Sequence, residues 1–168
     1  MVEVGNEVPG VLASTPPPRL EPRFFARKQL TVWTGRANIA DIAGWVENPR
    51  LNLELEKFRA ANAEATPTQD DILAIMRSVP EFELDSLVAD IRENGIRTAL
   101  ILNHSGVLLD GNRRFFAVKQ LLREVSSDDP NIDRYSKAPV IVLSDECSKE
   151  DEELVLWHEN FYPALKKE

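Results

Sequence analysis

The stretch from residue 98 to residue 118 constrains the fold more than any other part of this sequence. It starts with the apolar run TALIL, turns at NHSG and continues with a second apolar run, VLL. Two short apolar runs around a turn of this length predict a tight β-hairpin. The residues that follow, DGNRRFFAVKQLL, combine a glycine turn with the apolar spacing of a helix. Two strands and a helix in such close succession predict a mixed fold rather than a helical bundle.

The segments on either side of this unit extend the same architecture. Residues 27–35, RKQLTVWTG, alternate as a strand does, and residues 138–143, APVIVL, have the composition of a buried strand. Residues 83–95, ELDSLVADIRENG, have the spacing of an amphipathic helix that ends at Gly95. We therefore expect an α+β fold in which a small mixed β-sheet carries flanking helices.

Proline content divides the chain into a leader and a domain. Residues 1–27 contain five of the 11 prolines and little apolar periodicity, so we expect a flexible Pro-rich leader. The remaining residues, 28–168, are numerous enough to form one domain with a sizeable core. Residues 51–80 have the pattern of two short charged helices, and Thr68 with Asp71 predicts a capping box at the start of the second.

The charge balance limits the classes of partner. The net charge is −8, whereas a domain that grips duplex DNA through many phosphates normally has a basic balance. No apolar run is long enough to cross a bilayer, so we expect no membrane partner. The single cysteine, Cys147, excludes an internal disulfide and fits a reducing, cytoplasmic location.

Two adjacent arginines, Arg113 and Arg114, fall in the first turn of the helix predicted after Gly111. Asp110 or Asn112 is expected to cap this helix. The positive end of the helix dipole makes each cation there unfavourable by roughly 0.3–1 kcal/mol. An anion would offset this cost, because backbone N–H groups, a glycine that allows close approach and flanking arginines form an anion site. The alternative is that both arginines form surface salt bridges.

A second candidate site lies near the C-terminus. Glu159 and Asn160 are adjacent at the end of the apolar face of the last predicted helix, in the stretch LWHENFYPALKKE. A carboxylate beside an amide oxygen suits a hard cation such as Mg²⁺ that bridges phosphates. The alternative is a solvated helix end.

Together these stretches resemble the N-terminal domain of ParB-like proteins in the ParB/sulfiredoxin superfamily. The family has a Gly-hydrophobic-x-Gln-Pro segment, a GERR-x-x-A box, a strand and then an EN-x-x-R box. Residues 95–99, GIRTA, match the first without its Gln-Pro pair, and residues 111–114, GNRR, match the second with Asn112 in place of glutamate. Glu159 and Asn160 match the third, with Tyr162 and Pro163 where the arginine is expected. Residues 47–50, ENPR, resemble an early Asn-Pro region of the family. The resemblance covers about residues 28–165, with an apparent helical insertion near 51–80.

The resemblance implies a nucleotide site without a P-loop. In this superfamily the arginine box binds the triphosphate of CTP or ATP, and the EN box helps to hold Mg²⁺. Glu159 and Asn160 are therefore the expected metal ligands. The residues expected to bind the nucleotide are Gly95, Ile96, Arg97, Thr98, Asp110, Gly111, Asn112, Arg113, Arg114, Glu159 and Asn160.

The function implied is a nucleotide-dependent switch in a DNA-associated process such as partition or a mobile-element system. DNA would be contacted indirectly or through a region beyond residue 168, since the helix-turn-helix reader of the family follows the EN helix. Slow Mg²⁺-dependent hydrolysis and a homodimer are left open. Two alternatives remain: a catalytic member of the superfamily, such as a phosphotransferase or nuclease, and a non-catalytic protein-interaction domain with structural arginines.

Overall fold

The computed structural model describes residues 6–44 and 51–165, with side chains described as far as Glu159. In these residues five strands form one sheet: β1 (Arg19–Phe25), β2 (Lys28–Asn38), β3 (Leu100–Leu102), β4 (Leu108–Asp110) and β5 (Lys137–Leu143). Their spatial order is β1-β2-β5-β3-β4. The β3–β5 pair is parallel and the other neighbouring pairs are antiparallel, which confirms a small mixed sheet.

Six α-helices accompany the sheet in the described ranges: α1 (Asn52–Ala61), α2 (Gln69–Ser78), α3 (Leu84–Asn94), α4 (Asn112–Glu124), α5 (Ile132–Ser136) and α6 (Lys149–Leu165). Short 3-10 turns cover Ile39–Asp41 and Pro80–Phe82. The α+β class is thus confirmed, and α1 and α2 are the two helices predicted between residues 51 and 80. The ENPR stretch at 47–50 lies outside the described residues. Each helix in the described part of the chain is too short or too polar to span a membrane.

The sheet is buried on both faces by two separate cores. Helices α1 to α5 contribute to the larger core, in which Val140 and Val142 of β5 are buried with Phe115 and Phe116 of α4. Val155 of α6 belongs to the smaller core on the other face, with sheet residues that include Phe25, Leu109, Ile141 and Leu143. Successive residues of β5 therefore enter opposite cores, as the alternation of a strand requires. This arrangement places α4 and α6 on opposite faces of the sheet.

Residues 19–25, predicted to belong to a flexible leader, form the edge strand β1. Strand β1 pairs with β2 from Arg19 opposite Thr34 to Phe25 opposite Lys28, and Leu12 makes a further bridge to Ala37. The leader prediction is wrong here because β1 is exposed along most of its length and so lacks the apolar alternation of a half-buried strand. Proline is compatible with such an edge position.

Several local predictions are confirmed. The hairpin joins β3 to β4, and the Thr68 side chain and Asp71 exchange the reciprocal hydrogen bonds of a capping box. Helix α3 buries Val88 and Ile91 and ends at Gly95, whose φ of 73° suits glycine. Since α3 ends there, the chain turns back at residue 95 towards β3.

The first turn of α6 is anchored to β2 by Asp151, which is 7% exposed. Its carboxylate accepts hydrogen bonds from Lys28 Nζ and from the Ser148 backbone N–H, and the Ser148 hydroxyl accepts one from the Asp151 N–H. The Lys28 bond, followed by the Ser148 N–H bond, holds the pKa of the Asp151 carboxyl below its usual value. The ionised carboxylate therefore stabilises the contact between α6 and β2 beside the smaller core.

We expect this contribution to disappear in acid. Because the folded-state pKa of Asp151 is lower than its unfolded value of about 3.9, the stabilisation is complete above that value and is lost as the pH falls through the folded-state pKa. The thermal midpoint of the wild type should therefore fall more steeply below about pH 4 than that of Asp151→Asn. Asp128→Asn, a change at an exposed loop position, is the control and should follow the wild type. Parallel curves for all three proteins would contradict this role of Asp151.

Candidate functional site

The turn between β4 and α4 requires glycine. Strand β4 ends at Asp110, and Gly111, with φ of 98° and ψ of 23°, is the N-cap of α4. A Cβ atom at residue 111 would lie 2.5 Å from Leu100 Cδ2, closer than side chains approach one another. Glycine thus lets α4 start directly after the turn that follows β4, at the end of the sheet where β3 begins.

The prediction that Asp110 or Asn112 caps α4 is wrong. No side chain caps the helix, because Gly111 occupies the N-cap position and Asn112 is already the first helical residue. The Asn112 Oδ1 atom is buried and has no hydrogen-bond partner among the described residues. The first-turn N–H groups of a helix have no acceptor within the helix, so they keep the capacity to bind an anion.

The two adjacent arginines point to different places. Arg114 donates from an Nη to Asp110 Oδ2 at 3.2 Å, and both side chains are about three-quarters buried. Arg113 donates from Nε to the Phe82 carbonyl at 2.8 Å and faces a separate cleft with Glu54. The divergence follows from the angle of about 100° between adjacent helical residues. Arg114 is therefore the arginine of this pair that faces the loop after α3.

That loop, one side of α3 and Arg114 enclose a cleft of about 130 Å³, which we call the arginine cleft. The lining residues are Leu87, Asp90, Ile91, Gly95, Ile96, Arg97, Thr98 and Arg114. Five of them, the residues from 95 to 98 and Arg114, were expected at the site from two separate motifs. Pockets for drug-sized ligands usually exceed about 300 Å³, so this cleft has room for a phosphate group rather than for a whole nucleotide.

Helix α5 holds the loop side of the arginine cleft in place. Arg134 donates to the Glu93 carbonyl at 2.9 Å, and the Tyr135 hydroxyl donates to the Arg92 carbonyl at 3.0 Å. Both acceptors belong to the last turn of α3, whose carbonyls have no partner within the helix. A Cβ atom at Gly95 would lie 3.1 Å from Arg134 Nε, so the guanidinium packs closely on this glycine.

Sequence reasoning missed several residues of this cleft. Leu87 and Ile91 belong to the apolar face of the amphipathic helix predicted over residues 83–95, a position that indicates core packing, although both also line the cleft. Asp90 could have been found from the sequence, because it lies three residues after Leu87 and therefore on the same face of the helix. Arg134, which supports the loop without lining the cleft, gave no such signal in the sequence, because α5 is only five residues long and its packing on α3 is tertiary.

The predicted metal ligands lie on α6, across the sheet from α4. The Glu159 carboxylate is 3.2 Å from His158 Nδ1 and is not among the residues that line the arginine cleft. The side chain of Asn160 lies outside the described residues. In the described part of the chain, no group of three or more His, Cys, Asp or Glu residues could hold a metal ion. The assignment of Mg²⁺ to Glu159 and Asn160 stays a prediction.

Cys147 is partly buried against the smaller core. Burial raises the pKa of its thiol, which keeps it in the protonated, unreactive form. Its Sγ atom lies 3.7 Å from the Thr31 carbonyl, and it does not line the arginine cleft. This environment is typical of a structural cysteine.

No protein-family model, curated protein or solved structure matches this chain.

Proposed function

We propose that this chain binds the phosphates of a nucleoside triphosphate, CTP or ATP with Mg²⁺, in the arginine cleft. The observation that carries the proposal is that the loop from Gly95 to Thr98 and Arg114 line one cleft. These two segments correspond to separate boxes of the ParB-like domain that the sequence resembles. The domain type proposed is accordingly that of the ParB/sulfiredoxin superfamily.

The chemistry of the cleft suits an oxyanion. Arg114 is the third residue of α4, so the cleft lies beside a helix N-terminus with its partial positive charge. Arg97 and Arg114 offer planar guanidinium groups whose paired donors match phosphate oxygens. The Thr98 hydroxyl can donate a further hydrogen bond. A phosphate chain seated here would extend towards the first turn of α4, whose backbone N–H groups have no acceptor within the helix.

The biological role proposed is a nucleotide-dependent switch in a DNA-associated process. The net charge of −8 makes this chain a poor direct ligand for duplex DNA, so DNA would be engaged through a partner or another region. Nucleotide binding between the α3 loop and the start of α4 would change how firmly these two elements are joined. Such a change is the kind of differential contact on which a switch depends.

Calorimetry with ATP, CTP, GTP and UTP in the presence of Mg²⁺ tests this function. We expect saturable binding of ATP or CTP and competition by inorganic triphosphate, since the phosphate chain makes the contacts. Binding of none of the four nucleotides by the folded protein would contradict the proposal.

Mg²⁺ would accompany the nucleotide, and the donor chemistry of Glu159 fits it. Because α6 and α4 lie on opposite faces of the sheet, Glu159 reaches this ion only if the phosphate chain extends beyond the arginine cleft to the side of α6. Mg²⁺ usually takes one or two carboxylates together with phosphate oxygens and water. The Glu159 carboxylate is partly exposed, with 26% of its side chain accessible, and so can exchange His158 for a cation. When bound, the ion would neutralise phosphate charge.

A Glu159→Gln variant should lose affinity for nucleotide in Mg²⁺ and keep it in EDTA. The substitution removes the carboxylate charge and preserves the side-chain shape, so only the contribution of the cation changes. Isothermal titration under both conditions provides the comparison, and Glu153→Gln, an exposed position on the same helix, is the control. Equal affinities for wild type and Glu159→Gln at every Mg²⁺ concentration would remove Glu159 from the site.

A second candidate function is that of a protein-interaction domain with structural arginines. It is favoured by the partners of Arg113 and Arg114, which are the Phe82 carbonyl and Asp110. Phe24 and Trp157 are also 66% and 46% exposed, and exposed aromatic side chains are common in interfaces. The calorimetric experiment separates the two functions, because this candidate predicts no heat of binding with any nucleotide.

A further inference from the structure

Both arginines of the arginine cleft are already paired with carboxylates. An Nη of Arg97 lies 3.2 Å from Asp90 Oδ1 and 3.3 Å from Asp90 Oδ2. Arg114 is bonded to Asp110. A phosphate that enters the cleft therefore meets two internal anions that use the same donors.

The two pairs differ in position and exposure. Asp110 and Arg114 are four residues apart at the start of α4, and their side chains are 24% and 22% exposed. Asp90 and Arg97 come from different elements, α3 and the loop after it, and are 41% and 67% exposed. Both residues of the second pair line the cleft, so their contact joins its two walls. The Asp110 pair orients Arg114, whereas the Asp90 pair lies in the wall of the cleft.

We propose that Asp90 is an internal competitor that occupies Arg97 in place of the phosphate and so sets the affinity of the site. This inference rests on the proposed phosphate-binding function and adds its regulation. A carboxylate presents two oxygens to a guanidinium much as a phosphate does, and one set of donors cannot serve both anions. An exposed ion pair is weak, so a phosphate chain can displace it.

Asp90 has a second hydrogen-bond partner, which it would retain if its contact with Arg97 were broken. Asn94, one turn further along α3, donates from Nδ2 to Asp90 Oδ1 at 2.8 Å. The carboxylate can therefore remain hydrogen-bonded on the helix surface while Arg97 turns to the ligand. Any modification or partner that draws Asp90 away from Arg97 would raise the affinity of the cleft, which makes this contact a point of regulation.

Titration calorimetry with inorganic triphosphate tests this competition. Asp90→Asn removes the competing charge and keeps an oxygen for Asn94, so it should bind about two- to fivefold more tightly than wild type, the upper part of the range of one exposed ion pair. Asp85→Asn is the matched control, because it removes the same charge from an exposed position on the same helix and should bind within about twofold of wild type.

The outcomes separate this proposal from the function beneath it. If the wild type binds triphosphate and Asp90→Asn binds it equally well or more weakly, the competitor role is overturned. Weaker binding would identify Asp90 as a residue that positions Arg97. Equal gains in Asp90→Asn and Asp85→Asn would also overturn it, since the effect would then be general charge. Absence of binding to inorganic triphosphate, ATP and CTP by all three folded proteins would overturn the proposed function and the competitor role with it.

Discussion

An Arg114→Ala variant is expected to bind CTP or ATP about 10- to 100-fold more weakly than the wild type, the range expected for charged hydrogen bonds. Arg114 faces the arginine cleft, whereas its neighbour Arg113 faces the other side of the first turn of α4. Loss of Arg114 removes a guanidinium from the proposed phosphate position and leaves Asp110 unpaired beside it. Both changes disfavour an anion. Isothermal titration with Mg²⁺ measures the effect.

The control for this variant comes from the same helix. Arg123→Ala makes the same substitution at the other end of α4, where Arg123 pairs with Asp70 on the surface, and should bind nucleotide as the wild type does. Arg114→Lys should fall between the wild type and Arg114→Ala, because lysine keeps the charge and loses the paired donors. Wild-type affinity in a folded Arg114→Ala protein would place the site elsewhere.

A Gly111→Ala variant is expected to be strongly destabilised, by about 2–4 kcal/mol of unfolding free energy from backbone strain and overpacking together. The new Cβ would lie 2.5 Å from Leu100 Cδ2, a side chain that is fully buried at the start of β3. The φ of 98° is also unfavourable for a residue with a side chain. Denaturant unfolding followed by circular dichroism measures the change.

Gly10→Ala provides the comparison, because a Cβ at residue 10 would meet nothing within 4 Å. We expect its unfolding free energy to stay within about 0.5 kcal/mol of the wild type or to rise slightly. A Gly111→Ala protein as stable as Gly10→Ala would mean that the turn between β4 and α4 can relax without cost.

Much of the fold follows from local sequence patterns. The apolar runs of β3, β4 and β5, the face of α3 and the Thr68 capping box are short-range features, and each was recognised in the sequence. Strand β1 was missed because its pairing with β2 is tertiary and its exposed residues carry no alternation. The cap of α4 was assigned to a polar side chain because sequence alone does not show that Gly111 itself takes the N-cap geometry.

The candidate site could be predicted only in part, because some of its contacts join residues that are distant in the sequence. The resemblance supplied Gly95 to Thr98 and Arg114, which share the arginine cleft. The divergence of Arg113 from Arg114 follows from helix geometry, but the partner of Arg113 is tertiary, since the Phe82 carbonyl that accepts its hydrogen bond lies 31 positions away in the chain. The pairing of Arg97 with Asp90 depends on how the loop folds back along α3, which a linear pattern does not encode.

Titration of isotope-labelled protein with ATP or CTP and Mg²⁺, followed by amide NMR shifts, tests the central claim most directly. Phosphate binding in the arginine cleft predicts that the largest shifts occur in two segments, residues 95–98 and residues 112–114. Inorganic triphosphate should shift the same amides, because the phosphate chain makes the contacts. Saturating nucleotide that leaves both segments unshifted, or that shifts only β1 or α6, would contradict the account.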